Sequence, residues 1–439
     1  MRRPETLAAW LAYLETLHPK VIALGLDRVR AVHAKLDAPV ACPVVTVTGT
    51  NGKGSTCALL EAILRRAGYR VGLYASPHLL RYNERVRIDG RDADDADLVA
   101  AFNAVEDARL AAHGEDGVPI PLTYFEFGTL AALWLFRRAS LDALVLEVGL
   151  GGRLDAVNIV DADVAVVSSV AMDHMDYLGP TREDIGREKA GIFRPARPVV
   201  CAEPEPPVAL IAHARALGAP VTLIGRDYGF VPQGTQWQYW GPRGRRSGLP
   251  YPALRGSYQL ANAATVLAVL DLLRDRLPVG AGAIREGLVT VDLAGRFQVL
   301  PGRPTVVLDV AHNPHAGRAL AAALGEMGFH SQTRAVFGML ADKDIAGVIA
   351  AVRPRVDRWY VATLPGPRGA SAATLRAELE RAGVAAASIV TFGEVADAFR
   401  AAREQADEAD RILAFGSFLT VAAALAAARV GAHSTQRHG

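Results

Sequence analysis

A glycine-rich segment between two regular patterns is the feature that most constrains the fold of this chain. The run Val44 to Thr48 consists entirely of β-branched residues, which is typical of a strand. The segment 48–56 reads Thr-Gly-Thr-Asn-Gly-Lys-Gly-Ser-Thr, and apolar residues then recur at 57, 59, 60, 63 and 64 with helical spacing. The sequence therefore predicts a strand, a loop and a helix in direct succession, followed by a second strand over 70–74.

A loop of this kind is suited to binding phosphate. Its backbone N–H groups and the start of the following helix can surround phosphate oxygens, and the glycines allow close approach. We expect the phosphates of ATP to contact the residues of this loop: Thr50, Asn51, Gly52, Lys53, Gly54, Ser55 and Thr56. Lys53 would reach the terminal phosphates, and the hydroxyl of Ser55 or Thr56 would face Mg²⁺. A glycine-rich turn that binds no ligand is the alternative interpretation.

The spacing within the loop departs from the common Gly-x-x-x-x-Gly-Lys-[Ser/Thr] pattern. Only two residues separate Gly49 from Gly52, and Gly54 stands between Lys53 and the first hydroxyl residue, Ser55. This departure indicates a particular subfamily of phosphate-binding loops.

Alternating strand and helix patterns extend along most of the chain and predict an α/β fold with two domains. At 439 residues the chain exceeds what one hydrophobic core usually organises. We predict an N-terminal P-loop ATPase-like domain with a mostly parallel sheet over 1–295. A smaller, Rossmann-like α/β domain is expected over 296–439, with a hinge near 291–298. Residues 228–258 are rich in Gln, Trp, Tyr, Gly and Arg and predict short antiparallel strands or irregular structure.

Charge and cysteine content argue against several classes of protein. The chain has 48 Lys and Arg against 46 Asp and Glu, so its formal charge of +2 provides no field that attracts nucleic acid or an anionic membrane. Cys42, Cys57 and Cys201 lie far apart, which suits a reducing compartment and offers no disulfide framework or zinc site. No stretch approaches a transmembrane span. We therefore expect a cytoplasmic protein, and nothing in the sequence indicates more than a monomer.

Four motifs, in order along the chain, together resemble those of the Mur ligase superfamily. They are the loop from Thr48 to Ser55, Ser76-Pro77-His78-Leu79, the segment Glu147-Val148-Gly149-Leu150-Gly151-Gly152-Arg153-Leu154-Asp155, and Asp309-Val310-Ala311-His312-Asn313-Pro314. Within this superfamily the chain resembles the dihydrofolate synthase/folylpolyglutamate synthases. The resemblance implies an ATP-dependent ligase that adds L-glutamate to dihydropteroate and to reduced folates. It would do so through an acyl phosphate, which the amine of glutamate attacks.

The resemblance also implies a metal site and a modified lysine. Ser76, Glu147 and His174 would bind Mg²⁺, and a histidine among the ligands also tolerates Mn²⁺. Glu147 ends a predicted strand and His174 follows another, so both are expected at the sheet edge where α/β proteins bind ligands. Lys189, which could also be an ordinary exposed helix lysine, would be carbamylated and help to hold a second metal. Together with Lys53 and His174 it forms the predicted catalytic set.

Further nucleotide contacts follow from the resemblance. They fall on Asn262, Arg296, Asp309 and His312. Judged from the residues alone, Asn262 is a helix-surface amide, Arg296 a linker charge and Asp309 a strand-end cap. Asn313 stands before a proline and is also a candidate N-cap of the next helix, a structural role that needs no ligand.

Three segments match the family's contacts with a pterin-containing acceptor. They are Val21-Ile22-Ala23-Leu24, Thr123-Tyr124-Phe125 and Arg153-Leu154-Asp155. Tyr124 and Phe125 offer flat surfaces to an aromatic ring, although such a pair at the start of an apolar helix is more often part of a core. Ala23 stands where the best-matching relatives carry an acidic residue. The stretch 76–89 is predicted to be a polar surface loop whose arginines meet substrate carboxylates.

Two other functions fit part of the same pattern. One is a Mur-type ligase that acts on a cell-wall precursor or an amino-acid polymer. The other is a P-loop switch that hydrolyses a nucleotide only to change conformation, although this leaves the second domain unexplained. No side chain stands out as the general base that would deprotonate the attacking amine.

Overall fold

The predicted strand, loop and helix are present in the structure, a computed structural model that describes residues 3–114 and 117–435. The β-branched run forms a strand, Val44–Thr48, in which every residue is buried. The apolar pattern that follows the loop forms a helix, Lys53–Arg66. The outermost residues of the two predicted domains, 1–2 and 436–439, lie outside the described residues, as do 115 and 116.

The described chain divides into two units. The first comprises the described residues up to Ala253 together with Ala261–Val291, and the second comprises Leu254–Leu260 and the described residues from Asp292 onward. The helices up to residue 291 are α1 Leu7–Leu14, α2 Asp27–Leu36, α3 Lys53–Arg66, α4 Asp95–Ala111, α5 Tyr124–Arg138, α6 Met175–Leu178, α7 Arg182–Ala190, α8 Val208–Ala216, α9 Tyr258–Leu272 and α10 Ala281–Thr290. The strands are β1 Val44–Thr48, β2 Val71–Tyr74, β3 Val86–Ile88, β4 Arg91–Asp92, β5 Ala143–Glu147, β6 Val164–Val167, β7 Val199–Cys201, β8 Val221–Leu223, β9 Gly229–Gln233, β10 Gln236–Gly241 and β11 Gly244–Pro250.

An eight-stranded, mostly parallel sheet runs through the first unit, as predicted. Its strand order is β4-β3-β2-β5-β1-β6-β7-β8, and only the pairs β2–β3 and β3–β4 are antiparallel. Val45 of β1 pairs with Val145 of β5 on one side and Val164 of β6 on the other. The carboxyl ends of these three parallel strands therefore lie at one edge of the sheet, which is where open α/β sheets bind ligands.

The stretch after β2 follows the prediction of a polar surface loop over 76–89 only in part. Residues 76–81 form a loop, but the prediction was wrong for the rest, where a short 3-10 helix, Tyr82–Arg85, leads into β3. Tyr82 and Asn83 are each only 3% exposed. The Tyr82 ring packs edge-on against Phe102 of α4, with ring centroids 5.6 Å apart, and Asn83 donates to a main-chain oxygen. Aromatic burial and this hydrogen bond fix the stretch at the edge of the sheet.

A separate three-stranded antiparallel sheet, in the order β11-β10-β9, confirms the prediction of antiparallel strands within 228–258. Trp237 and Tyr239 of β10 are fully buried. The Tyr239 hydroxyl donates to the carboxylate of Asp271 in α9 over 2.8 Å, and Arg246 of β11 forms an ion pair with the same carboxylate. These bonds attach the small sheet to α9.

The second unit is also α/β, as predicted. Its helices are α11 Pro314–Glu326, α12 Ile345–Val352, α13 Ala372–Arg381, α14 Val395–Glu404 and α15 Phe418–Thr435. Its strands are β12 Gln298–Leu300, β13 Thr305–Asp309, β14 Thr333–Phe337, β15 Arg358–Ala362, β16 Ile389–Phe392 and β17 Arg411–Phe415. They form one sheet in the order β12-β13-β17-β14-β15-β16, in which only the pair β12–β13 is antiparallel. A buried core that includes Phe337, Trp359 and Phe415 supports this sheet.

The structure bears on membrane-spanning helices and on the state of the cysteines. Within the described residues, no helix is both long enough and apolar enough to cross a membrane. The three cysteines are free thiols, of which Cys57 and Cys201 are buried and Cys42 is partly exposed.

Candidate active site

The glycine-rich loop joins the buried end of β1 to the first turn of α3. Gly52 stands directly before the helix with a φ of 87°, a left-handed conformation that residues with a side chain rarely adopt. A Cβ atom at this position would lie 2.9 Å from Oδ1 of Asn262, and one on Gly49 would collide with the hydroxyl of Ser168. The loop is therefore a tight cradle that requires glycine. Asn262, a predicted nucleotide contact, lies directly beside it.

The first turn of α3 carries the rest of the predicted phosphate site. The first N–H groups of a helix have no partner within the helix, so this end of α3 is suited to bind phosphate oxygens. Ser55 and Thr56 are 2% and 0% exposed, and the Thr56 hydroxyl donates to the main-chain oxygen of Gly52 over 2.9 Å. The Thr56 hydroxyl therefore forms a hydrogen bond at the start of its own helix. The predicted phosphate-binding residues 50–56 form one continuous stretch of loop and helix.

Residues that follow β6 hold the loop in place. The Thr50 N–H donates to the main-chain oxygen of Ser169, and the Asn51 N–H donates to its hydroxyl, both over 2.9 Å. The hydroxyls of Ser168 and Ser169 donate to the Asn51 oxygen over 2.6 and 3.0 Å, and Thr50 exchanges two hydrogen bonds with the backbone of Ala171. The backbone of the loop is therefore fixed before any ligand binds. Sequence reasoning missed Ser168 and Ser169, whose only signal is a pair of hydroxyl residues after a neighbouring strand.

Two lysines lie near one another beside this loop. The Lys53 ammonium donates to the main-chain oxygens of Gly49 and Thr50 over 2.9 and 3.4 Å. Lys189, in the last turn of α7, is only 2% exposed, so the alternative of an ordinary surface lysine is wrong. Burial lowers the pKa of Lys189 to about 7, the charge of Lys53 acts in the same direction, and Asp173 opposes them. Lys189 is therefore partly neutral at physiological pH.

The predicted metal ligands occupy the carboxyl edge of the sheet. Glu147 ends β5 and is 3% exposed, and its Oε2 accepts a hydrogen bond from the Ser76 N–H over 3.2 Å. His174 follows β6 in a left-handed conformation with a φ of 52°, and its Nε2 lies 3.9 Å from the carboxylate of Asp173. Within the described residues, no three His, Cys, Asp or Glu side chains form a metal-binding group. The carboxylate, hydroxyl and imidazole groups of Glu147, Ser76 and His174 are of the kinds that suit Mg²⁺ and Mn²⁺.

The three predicted acceptor segments come together in the first unit. The Gly25 N–H, directly after the segment 21–24, donates to the Leu154 oxygen over 3.3 Å. Arg28 donates to the Ala23 oxygen over 2.6 Å and forms an ion pair with Glu126 over 2.8 Å. Glu126 and Thr123 in turn cap the N-terminus of α5 reciprocally. The sequence does not indicate that Arg28 links two of the segments, although the capping pattern Thr-x-x-Glu is readable at 123–126.

The aromatic residues at the start of α5 are half-buried. The Phe125 ring packs against Tyr74, with ring centroids 5.8 Å apart, and approaches Gly149 so closely that a Cβ there would lie 2.7 Å from it. The Arg85 guanidinium lies 5.5 Å from the centre of the Tyr124 ring. Each ring therefore packs against the protein on one side, and part of its surface remains accessible to solvent.

Asp155 and Arg153 differ strongly in their environments. Asp155 is 4% exposed and accepts hydrogen bonds from the N–H groups of Leu150 and Val157 over 2.8 and 3.1 Å. Burial raises the pKa of Asp155 to about 6, although these hydrogen bonds oppose the shift. Arg153 is half-exposed and forms an ion pair with Glu188 over 2.8 Å. Of the two side chains, only that of Asp155 is held in one position by backbone hydrogen bonds, as a specific contact with a ligand requires.

In the second unit, three predicted nucleotide contacts lie near the carboxyl end of β13. The Asp309 carboxylate accepts the N–H groups of Phe297 and Ala311, both over 2.8 Å, so it does cap the end of the strand. Burial raises the pKa of Asp309, while the bond from Ala311 and the charges of Arg296 and His312 oppose the shift. The structure therefore brings Arg296, Asp309 and His312 together.

The residue after His312 has the structural role that the sequence indicates. Oδ1 of Asn313 accepts the N–H of Ala316 over 2.9 Å, and Pro314 is the first residue of α11. The N-cap interpretation of Asn313 is confirmed.

Replacing Gly52 with alanine is expected to weaken binding of the ATP analogue AMPPNP at least about 10-fold, which corresponds to roughly 1.4 kcal/mol. The new Cβ would displace Asn262 and distort the loop. Gly68 is a matched control, because its φ of 91° is equally left-handed but its surroundings are open. Both variants should lose roughly 1–2 kcal/mol of unfolding free energy. Calorimetric binding that is equally weak in Gly68→Ala would contradict a specific role of the loop.

Two family models match the chain. The Mur ligase middle domain matches residues 114–270, and the glutamate ligase domain of Mur ligases matches residues 295–418. A dihydrofolate synthase/folylpolyglutamate synthase of Escherichia coli (strain K12) is 48% identical over 417 residues, which cover 95% of this chain and 94% of that protein. The protein of the same name from Haemophilus influenzae is 42% identical over 441 residues, covering 96% and 97%.

The chain belongs to the dihydrofolate synthase/folylpolyglutamate synthase family. The resemblance inferred from the four sequence motifs is thereby confirmed. Solved structures of this family share the whole fold. Escherichia coli FolC in complex with DHPP and ADP has a TM-score of 0.89 and 47% identity, and the match covers 99% of both chains. A bifunctional folylpolyglutamate synthase/dihydrofolate synthase with Mn, AMPPNP and L-glutamate bound has a TM-score of 0.87 and 49% identity, covering 97% of this chain and 98% of that one.

Proposed function

We propose that this family member uses the loop 49–52 to bind ATP and adds L-glutamate to dihydropteroate, forming dihydrofolate, and to reduced folates, forming folylpolyglutamates. The observation that carries this proposal is the cradle itself. It is fixed by hydrogen bonds to 168–171 at the sheet edge where Glu147 and Ser76 also meet. Family membership defines the reaction class as an ATP-dependent glutamate ligase.

The reaction consists of two transfers. The acceptor carboxylate attacks the γ-phosphorus of ATP, which forms an acyl phosphate and releases ADP. The amine of L-glutamate then attacks the acyl carbon, forms the amide and expels inorganic phosphate, with loss of a proton from the amine. Lys53 and the N–H groups at the start of α3 would stabilise the charge on the phosphoryl group during the first transfer. The buried setting of these groups strengthens each of these interactions.

We assign one metal to Ser76, Glu147 and His174, and we propose that carbamylated Lys189 helps to hold a second metal. When bound, Mg²⁺ or Mn²⁺ would neutralise phosphate charge and polarise the γ-phosphorus. The low pKa of Lys189 supports the carbamylation, because only a neutral amine reacts with CO₂. The relatives with bound Mn support a divalent metal in this family.

The acceptor would bind to the segments 21–24, 123–125 and 153–155. Their mutual hydrogen bonds support a single site, as does the half-buried state of Tyr124 and Phe125. Asp155 would accept hydrogen bonds from a pterin-type ring, because it is rigidly held beside Phe125 and Gly149.

We also assign Arg296, Asp309 and His312 to nucleotide binding. We propose that 1–295 forms the ATP-binding domain with the pteroate or folate site and that 296–439 forms the glutamate-ligase domain. The matches of the two family models over 114–270 and 295–418 support this division. We also propose that the protein is cytoplasmic, since its cysteines are free thiols, and that it binds neither nucleic acid nor membrane, since its formal charge is +2. We propose a monomer as well.

An assay of phosphate release tests the proposed function. The purified chain is incubated with ATP, Mg²⁺ and L-glutamate, and receives dihydropteroate, tetrahydrofolate, a UDP-sugar-linked acceptor or no acceptor. We expect release with the first two acceptors and a background rate in the other arms. Release only with the UDP-sugar-linked acceptor would indicate another Mur-type ligase. Equal release in all arms would indicate a nucleotide switch.

A further inference from the structure

The first residue of α15 contacts two of the predicted nucleotide residues. The Arg296 guanidinium carbon lies 5.0 Å from the centre of the Phe418 ring. The His312 ring lies on the same side chain, with ring centroids 6.5 Å apart. Phe418 follows Arg296 by more than 100 positions in the chain, so only the fold brings these residues together.

The Arg296 side chain has a hydrogen-bond donor that bonds to no acceptor in the described structure. Among the described residues, its Nη1 is buried and has no hydrogen-bond partner. The neighbouring carboxylate of Asp309 is occupied by the N–H groups of Phe297 and Ala311. A buried guanidinium donor without an acceptor costs free energy, which binding of an anionic ligand would recover.

An aromatic ring is well suited to hold such a group. The face of the ring attracts a guanidinium through its quadrupole but accepts no conventional hydrogen bond. A carboxylate in the same position would hold Arg296 more strongly. It would, however, accept hydrogen bonds from the guanidinium N–H groups and neutralise the guanidinium charge. Phe418 therefore restricts Arg296 while leaving its N–H groups available.

We propose that Phe418 is a positioning residue that orients the Arg296 guanidinium, and with it the His312 ring, for binding of the nucleotide. The proposal rests on the nucleotide-binding role assigned to Arg296 above. Phe418 would hold the Arg296 side chain in its binding conformation before the ligand arrives. Ligand binding would then cost less conformational entropy of Arg296.

The first test compares side chains at position 418. Phe418→Leu keeps an apolar group but removes the ring face, and we expect about 5- to 20-fold weaker AMPPNP binding by calorimetry and a similar rise in KM for ATP. Phe418→Tyr retains the face and should restore binding to within about twofold. Leu419→Ala is the control, because Leu419 is the next residue of the same helix and is 45% exposed. Equal losses in the leucine and tyrosine variants would overturn the proposal, as would unchanged binding in the leucine variant.

A double-mutant cycle separates a positioning role from a general effect on folding. We expect Arg296→Gln alone to weaken AMPPNP binding, and Phe418→Leu to add less than about twofold in the Arg296→Gln background, because the group that it orients is gone. Additive losses with a lowered Tm would show that Phe418 acts only on stability. If Arg296→Gln binds AMPPNP normally, the proposed function of Arg296 fails. A loss in Arg296→Gln without one in Phe418→Leu refutes the positioning role alone.

Discussion

Replacement of Lys53 with methionine is expected to lower ligase turnover by about 100- to 1000-fold, the effect typical of removing one preorganised group that stabilises transition-state charge. The ammonium lies over the loop, where it donates to the oxygens of Gly49 and Thr50. It is thus held beside the loop that we propose binds the phosphates of ATP. Methionine preserves the length of the side chain but removes the charge, so the loop should keep its hydrogen bonds to 168–171.

The measurement is kcat for acceptor-dependent phosphate release at saturating ATP and glutamate. Lys35→Met is the matched control, because Lys35 is an exposed helix lysine and should leave kcat within about twofold, as is usual for surface substitutions. The Tm of Lys53→Met should remain close to that of the unmodified chain. A kcat reduced less than about threefold would contradict the role of Lys53 in phosphoryl transfer.

Replacement of Lys189 with alanine is expected to reduce ligase turnover about 10- to 100-fold, the loss typical of removing a group that supports a metal site. If Lys189 is carbamylated, the variant lacks a carboxylate in a buried position. Formate or acetate should then restore part of the activity, because a small carboxylate fits the space left by the side chain. Lys189→Arg, which stays cationic, should be inactive and should not respond to either ion.

The pH dependence of the modification follows from the pKa of Lys189. Since this pKa is about 7, the amine becomes neutral as pH rises through 7, and carbamate formation should increase over the same range. ¹³C NMR with labelled bicarbonate should detect a carbamate signal that grows between pH 6 and 8 and is absent in Lys189→Arg. Full activity in CO₂-depleted buffer without this signal would contradict carbamylation.

The free energy of unfolding should also depend on pH through the Lys189 amine. The unfolded chain holds the Lys189 proton up to its ordinary pKa of 10.5, whereas the folded chain releases it near 7. Between these values the unfolded state binds more protons, so this group makes the free energy of unfolding rise with pH. Below about pH 7 both states are protonated, and the full cost of burying the charge remains.

The phosphate loop, its flanking strand and helix, and the α/β class of both units could be predicted from the sequence because their signals are local. Val44–Thr48 is a continuous β-branched run, and the glycines and Lys53 follow it without interruption. Asn313 before Pro314 marks a helix start for the same reason. In each case neighbours in the chain determine the structure, so no knowledge of distant contacts is needed.

Other features depend on contacts between distant parts of the chain. Lys189 lies in a polar helix segment, and only packing shows that it is buried beside Lys53. Tyr82 reads as part of a polar loop because its partner Phe102 is 20 positions away. Ser168 and Phe418 carry no motif that reveals their contacts with Asn51 and Arg296. Their assignment requires the fold.

Arg28 anchors the segment 21–24 through the main-chain oxygen of Ala23, and every amino acid supplies that oxygen. Substitutions at position 23 can therefore accumulate without loss of the anchor. The pair Arg28–Glu126 has no such freedom, because loss of Arg28 would leave Glu126, which is 3% exposed, without its counter-ion. If the segment 21–24 binds the acceptor as we propose, position 23 can vary with acceptor preference while the pair Arg28–Glu126 is retained.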